Sequence, residues 1–141
     1  MPANPDLKAR IELLKRVQLF ADCTKAELTK VAEKAREVHV ASGSVIVEQG
    51  SKGDKFFVLA EGLAHVHVDG HKVASIGAGS FFGEMAIIEH SPRSATVTAE
   101  LPSRLLVFYE KDFDDIRSIK SVADKVMRSM ATRLREANKS G

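Results

Sequence analysis

The residues best suited to chemistry lie together between Gly79 and Val97, in the run GSFFGEMAIIEHSPRSATV. Phe82-Gly83-Glu84-Met85-Ala86-Ile87-Ile88 is too polar at Glu84 and too irregular for a strand, so it predicts a glycine turn into one helical turn. The start of a helical turn presents backbone N–H groups that lack partners inside the helix, and such groups hold anions. Gly83 has no side chain to keep a ligand from the backbone. Arg93 follows ten residues later, past the turn at Ser91-Pro92, and is expected to enter the next strand. Its guanidinium would offer paired donors to a phosphate held at the helix start. Glu84 can accept a hydrogen bond from a ribose hydroxyl. An anion cradle, an arginine and one carboxylate together suit a small, singly charged phosphate on a sugar.

These groups must be carried by the rest of the chain, which reads as helical ends around a strand-rich middle. Leu7, Ile11, Leu14 and Val17 recur at helical spacing. Leu19 and Phe20 form an apolar knot after them. Thr24 with Glu27 three residues on predicts a capping box, opening a helix whose stripe is Leu28, Val31, Ala32 and Ala35. From Glu37 the period changes to two. Residues 38–40, 45–47, 56–59, 64–68, 72–76, 94–99 and 105–109 are β-prone runs, punctuated by glycines. Many short, closely spaced strands predict a sandwich or roll rather than a parallel α/β sheet. Helical spacing returns near Lys111, with Asp112, Asp114 and Asp115 suited to a first turn. A second start signal stands at Ser121. Val122, Val126 and Met130 form one apolar row, and Ala123, Met127, Ala131 and Leu134 the next. The expectation is one domain in three segments: helices over 1–36, a roll over 37–110 with the phosphate-binding stretch at 82–97, and helices over 111–141.

Phe82 to Ala86, FGEMA, followed by Pro92 to Val97, PRSATV, resembles the phosphate-binding cassette of the cyclic nucleotide-binding domain family. The resemblance extends from about Leu13 to Leu134 and takes in the turn Gly50-Ser51-Lys52-Gly53-Asp54. It implies a mainly β fold, an eight-stranded β-roll (jelly-roll) with N-terminal helices and a C-terminal lid helix. It implies that Phe82, Gly83, Glu84, Met85, Ala86, Arg93, Ser94 and Ala95 bind the ligand. In that reading Gly83, Met85 and Ala86 supply backbone donors to a cyclic phosphate. Glu84 accepts from the ribose 2′-hydroxyl, Arg93 pairs with the phosphate, and Ser94 and Ala95 form a second phosphate-facing edge. Members that prefer guanine often carry threonine directly after the arginine. Those that prefer adenine commonly carry alanine; Ser94 stands there in this chain, with the hydroxyl but not the methyl, so the expected ligand is cyclic AMP, with cyclic GMP as the alternative. The far side of the purine is closed in the family by the C-terminal helix, where Met130, Arg133 and Leu134 are the lid candidates. The implied function is a sensor or regulatory domain that signals through movement of that helix, alone or within a larger channel, kinase or exchange factor; the alternative is a structural β-roll with a degenerate site, against which Gly83, Glu84 and Arg93 stand intact.

Other classes find less support. Lys+Arg 21 against Asp+Glu 19 leaves a net charge of +2 in 141 residues, so nothing demands nucleic acid or an anionic membrane. No run approaches the roughly 18 apolar residues of a membrane span. A single cysteine, Cys23, forms no internal disulfide and reads as a packing residue in a reducing, cytoplasmic setting. His65-Val66-His67 is the His-x-His pattern by which cupin rolls hold metal. Alternation, however, puts Ala64, Val66 and Val68 on the cleaner core face, and no further ligands follow at the needed spacing. Gly77-Ala78-Gly79 with Gly83 misses the dinucleotide fingerprint by one residue. No nucleophile is paired with a base and no P-loop lysine motif occurs, so no catalysis and no metal or cofactor are expected. The chain stops too soon after its last predicted helix for a helix-turn-helix.

Overall fold

The computed structural model describes residues 5–128 and residue 131. Helix α1 spans Pro5–Leu14 and a 3-10 turn follows at Gln18–Phe20. Helix α2 spans Lys25–Lys34 and opens on the expected capping box. The Thr24 hydroxyl accepts from the Glu27 amide at 3.1 Å, and the Thr24 amide donates to Glu27 Oε1 at 2.8 Å. The strands are β1 Arg36–Val40, β2 Val45–Val47, β3 Lys55–Glu61, β4 Leu63–Val68, β5 His71–Gly77 and β6 Phe81–Phe82. Helix α3, Glu84–Glu89, precedes β7 Thr96–Ala99 and β8 Ser103–Tyr109; α4 is Glu110–Ile116, and residues 120–128 are helical again.

Two four-stranded antiparallel sheets, in the orders β1-β8-β3-β6 and β2-β7-β4-β5, form the roll. Strands β3 and β8 are central and covered on both faces, which is why KFFVLAE lacks alternation. Phe56 and Val58 face the helices. They share a cluster with Leu106, Phe108, Leu14, Phe20, Val31, Phe113, Val122 and Val126. Phe57 and Leu59 face the interior of the roll with Ala64, Phe82, Val97, Leu105 and Val107. The helical ends are thus one packed layer on the outside of the β1-β8-β3-β6 sheet.

Three local expectations change. Phe81–Phe82 is a strand, paired to Val58 and Phe57 of β3, because a tertiary partner and stacked Phe57 and Phe82 rings 5.0 Å apart outweigh the irregular local pattern. The helix after it has six residues rather than a single turn. Arg93, Ser94 and Ala95 precede β7 rather than lying in it. Their backbone turns away because Arg93 exchanges both of its main-chain bonds with residues 50–51: Gly50 N–H donates to Arg93 O, and Arg93 N–H to Ser51 O, each at 2.8 Å.

Candidate functional site

Gly83 joins β6 to α3 at a φ of 96°, the left-handed region that favours glycine. A Cβ there would stand 2.7 Å from Arg93 Nη1 and 2.9 Å from Lys55 O. Gly83 therefore serves both the turn and the close approach of Arg93. With no side chain, it makes no side-chain cap to the first turn of α3.

Arg93 is only 7 % exposed. Its Nη1 donates to Gly83 O at 3.2 Å and its Nη2 to Lys55 O at 2.9 Å. The guanidinium lies 5.6 Å from the Phe57 ring centroid. Gly53 leaves room for it on another side, since a Cβ on Gly53 would meet Ala86 Cβ, Arg93 Nε at 2.7 Å and Arg93 Cζ at 2.9 Å. Burial pushes the Arg93 pKa below its ordinary value, and the charges of Asp54 and Glu84 oppose that shift. Two of the five guanidinium N–H groups are spent on these carbonyls, so donors remain for an anion.

A cavity of about 580 Å³ opens beside this arginine, within the roughly 300–1,000 Å³ typical of small-molecule sites. Phe82, Gly83, Met85, Ala86, Arg93, Ser94 and Ala95 all line it. Val47, Val66, Val68, Ala74, Ile76 and Val97 give it an apolar wall. Glu84 is different: it is fully buried and does not line the cavity. Met130, Arg133 and Leu134 lie outside the described residues. His65 and His67 stand apart, with His65 Nδ1 3.3 Å from Glu100 Oε2, and among the described residues no group of His, Cys, Asp or Glu is arranged to hold a metal ion.

Residue-by-residue reading overlooked the supports of Arg93, namely Gly53, the Lys55 carbonyl and Phe57. A glycine gives no sign of which neighbour it admits, and a carbonyl acceptor has no side-chain identity. The apolar wall carries a signal: alternation puts Ala64, Val66 and Val68 on one face, and Val66 and Val68 line the cavity.

A roll of two antiparallel sheets, covered on one side by helices, thus holds a buried arginine beside a cavity with a largely apolar wall. The profile of the cyclic nucleotide-binding domain matches residues 37–119, and the chain belongs to that family. It is 38% identical over 120 residues to a cyclic nucleotide-gated potassium channel of Rhizobium etli, covering 85% of this chain and 34% of the channel. It is 31% identical over 113 residues to a cAMP-dependent protein kinase type II regulatory subunit of Drosophila melanogaster, covering 79% of this chain and 30% of that protein. The solved structure of cAMP-bound PfPKA-R superposes with a TM-score of 0.88 at 26% identity, over 96% of this chain and 47% of that one. The chain thus spans about a third of the length of the curated relatives it matches. Among the described residues no helix is long and apolar enough to cross a membrane.

Proposed function

We propose that the 580 Å³ cavity binds a cyclic nucleotide, cyclic AMP in preference to cyclic GMP, and that the domain regulates an effector without catalysis of its own. The observation that carries this reading is the buried Arg93, held by two carbonyls and lining a cavity whose other polar side chains are Glu89, Ser91 and Ser94 and whose wall is largely apolar. The cyclic phosphate takes the remaining guanidinium N–H groups and the backbone around Gly83, Met85 and Ala86. Ser94 and Ala95 flank it, and the ribose and purine rest on Val66, Val68, Ala74 and Ile76. Glu84 accepts from the ribose 2′-hydroxyl once α3 shifts enough to bring its carboxylate to the cavity.

That shift supplies the signal. Ile87 of α3 is packed in the same cluster as Phe113, Ile116, Val122 and Val126, so moving α3 disturbs the seat of the helix at residues 120–128. The ligand biases this equilibrium only by its preference for one arrangement, about 1.4 kcal/mol for each tenfold difference in affinity. The effector is a channel, kinase or exchange factor, in the same chain or another, and the domain works in the cytoplasm.

Replacing Arg93 by alanine tests the assignment. Truncating one member of a desolvated charge pair costs roughly 2–5 kcal/mol, so affinity for cyclic AMP falls about thirtyfold to several thousandfold. Calorimetric titration reads this directly. An Arg93→Ala chain that binds as tightly as the parent overturns the site.

A further inference from the structure

The apolar wall comes from all four strands of one sheet. Val47 belongs to β2, Val97 to β7, and Val66, Val68, Ala74 and Ile76 to the β4–β5 hairpin, with β7 between β2 and the hairpin. Just beyond this wall, Gln49 reaches across the start of β7 to the hairpin tip. Gln49 Nε2 donates to Asp69 Oδ1 at 2.9 Å, and the Asp69 amide donates to Gln49 Oε1 at 2.8 Å. The Gln49 amide donates to Thr96 Oγ1 of β7 at 2.9 Å.

The tip is built to receive it. Asp69 and Gly70 form the two-residue link between β4 and β5, at φ values of 53° and 83°, the backbone of a type I′ hairpin. The Asp69 N–H has no place in the strand ladder, and Gln49 satisfies it. The next two residues after Gln49 are those that hold the Arg93 main chain, through Gly50 N–H to Arg93 O and Arg93 N–H to Ser51 O. Three consecutive residues therefore tie the hairpin under the ligand to the arginine that faces the phosphate. Neither Gln49 nor Asp69 lines the cavity or enters a core cluster.

We infer that Gln49 is a positioning residue for cyclic nucleotide: its reciprocal clasp with Asp69 sets the distance between the hairpin wall and the Arg93 segment. This rests on the ligand proposed above for the cavity, although the positioning of Arg93 itself is readable without ligand. The clasp adds little to global stability because it is solvent-facing, and its loss acts on the geometry of the site.

The test uses Gln49→Glu, Asp69→Asn and the two together. Gln49→Glu removes the amide donor and sets a carboxylate against Asp69 Oδ1. Asp69→Asn alone keeps an acceptor and a side chain that tolerates a positive φ. Combined, the introduced amide donates to the introduced carboxylate and the clasp is restored with its polarity reversed. In the ligand-free chain, Gln49→Glu accelerates hydrogen exchange at the Gly50 and Arg93 amides about three- to tenfold and moves the Arg93 Nε–H resonance, with the melting temperature near that of the parent. In titration with cyclic AMP it weakens binding about three- to tenfold, roughly the worth of one exposed hydrogen bond. Asp69→Asn stays near the parent in both, and the double substitution recovers both. Unchanged exchange and affinity in Gln49→Glu, or failure of the double substitution to recover them, overturns the proposal. If the parent binds no cyclic nucleotide while Gln49→Glu still loosens Arg93, the positioning stands and the ligand reading falls.

Discussion

Gly53→Ala isolates the packing around Arg93 with a single methyl group. Gly53 has no positive φ, so the substitution brings no backbone strain, only volume. The new Cβ would meet Ala86 Cβ, with Arg93 Nε at 2.7 Å and Arg93 Cζ at 2.9 Å. Ala86 has no rotamer to turn away, so α3 or the Gly53 turn must shift, and the guanidinium must move as well. Movement stretches its bonds to Gly83 O and Lys55 O, now 3.2 and 2.9 Å. Overpacking of this kind costs about 1–3 kcal/mol, and each bond made by a charged group contributes about 1.5–3 kcal/mol if lost outright. Partial relaxation makes about 1–3 kcal/mol the expected loss of stability, with a fall in cyclic AMP affinity of tenfold or so from the displaced arginine. Urea denaturation reads the first and calorimetric titration the second. Gly77→Ala is the control, because nothing lies within 4 Å of its Cβ position and its φ is not positive; it stays at or slightly above parental stability. A Gly53→Ala chain with parental midpoint and parental affinity refutes the claim that Gly53 makes room for Arg93.

Thr24→Ala removes the hydroxyl that accepts from the Glu27 amide, leaving only the residue-24 amide bond to Glu27 Oε1, and lowers stability by about 0.5–2 kcal/mol, read as a shift in urea midpoint without change in slope. Lys125 Nζ donates to Gln18 O at 2.7 Å and lies 3.0 Å from Asp22 Oδ2, joining residues 120–128 to the N-terminal segment; Lys125→Met keeps the aliphatic stem and lowers stability by about 0.5–1.5 kcal/mol in the same assay. Burial pushes the Cys23 thiol above its ordinary pKa, against a lowering contact with Ser121. The fold thus favours the neutral thiol, and this contribution is complete below the ordinary thiol pKa and is lost as pH rises through the raised value. At pH 8 a thiol-selective reagent modifies Cys23 more slowly in the folded chain than in the urea-unfolded chain.

Much of this architecture is legible where local chemistry and tertiary environment agree. The Thr24–Glu27 box reads directly because both partners lie within one turn. The strands from Val38 to Leu105 read from β-branched runs broken by glycine. Phe81–Phe82 carries no such signal, because two residues hold no period and only the facing Phe57 and Val58 make them a strand. Ser94 and Ala95 look like the start of β7, but the bonds of Arg93 to residues 50–51 come from a distant turn and delay the strand. In the site, seven of the eight residues named from FGEMA and PRSATV line the cavity. Glu84 shows the limit of such reading, since spacing places it next to Gly83 while packing buries it behind the lining. Gly53, Lys55 and Phe57 were hidden for the opposite reason: they act by leaving space, offering a carbonyl or stacking, and none of these leaves a mark in local sequence.

Parallel calorimetric titration of the unsubstituted chain with cyclic AMP and cyclic GMP tests the central claim most directly. One saturable site per chain is expected, tighter for cyclic AMP, with NMR shifts that run from α3 into residues 120–128. Absence of saturable binding to either nucleotide contradicts the account.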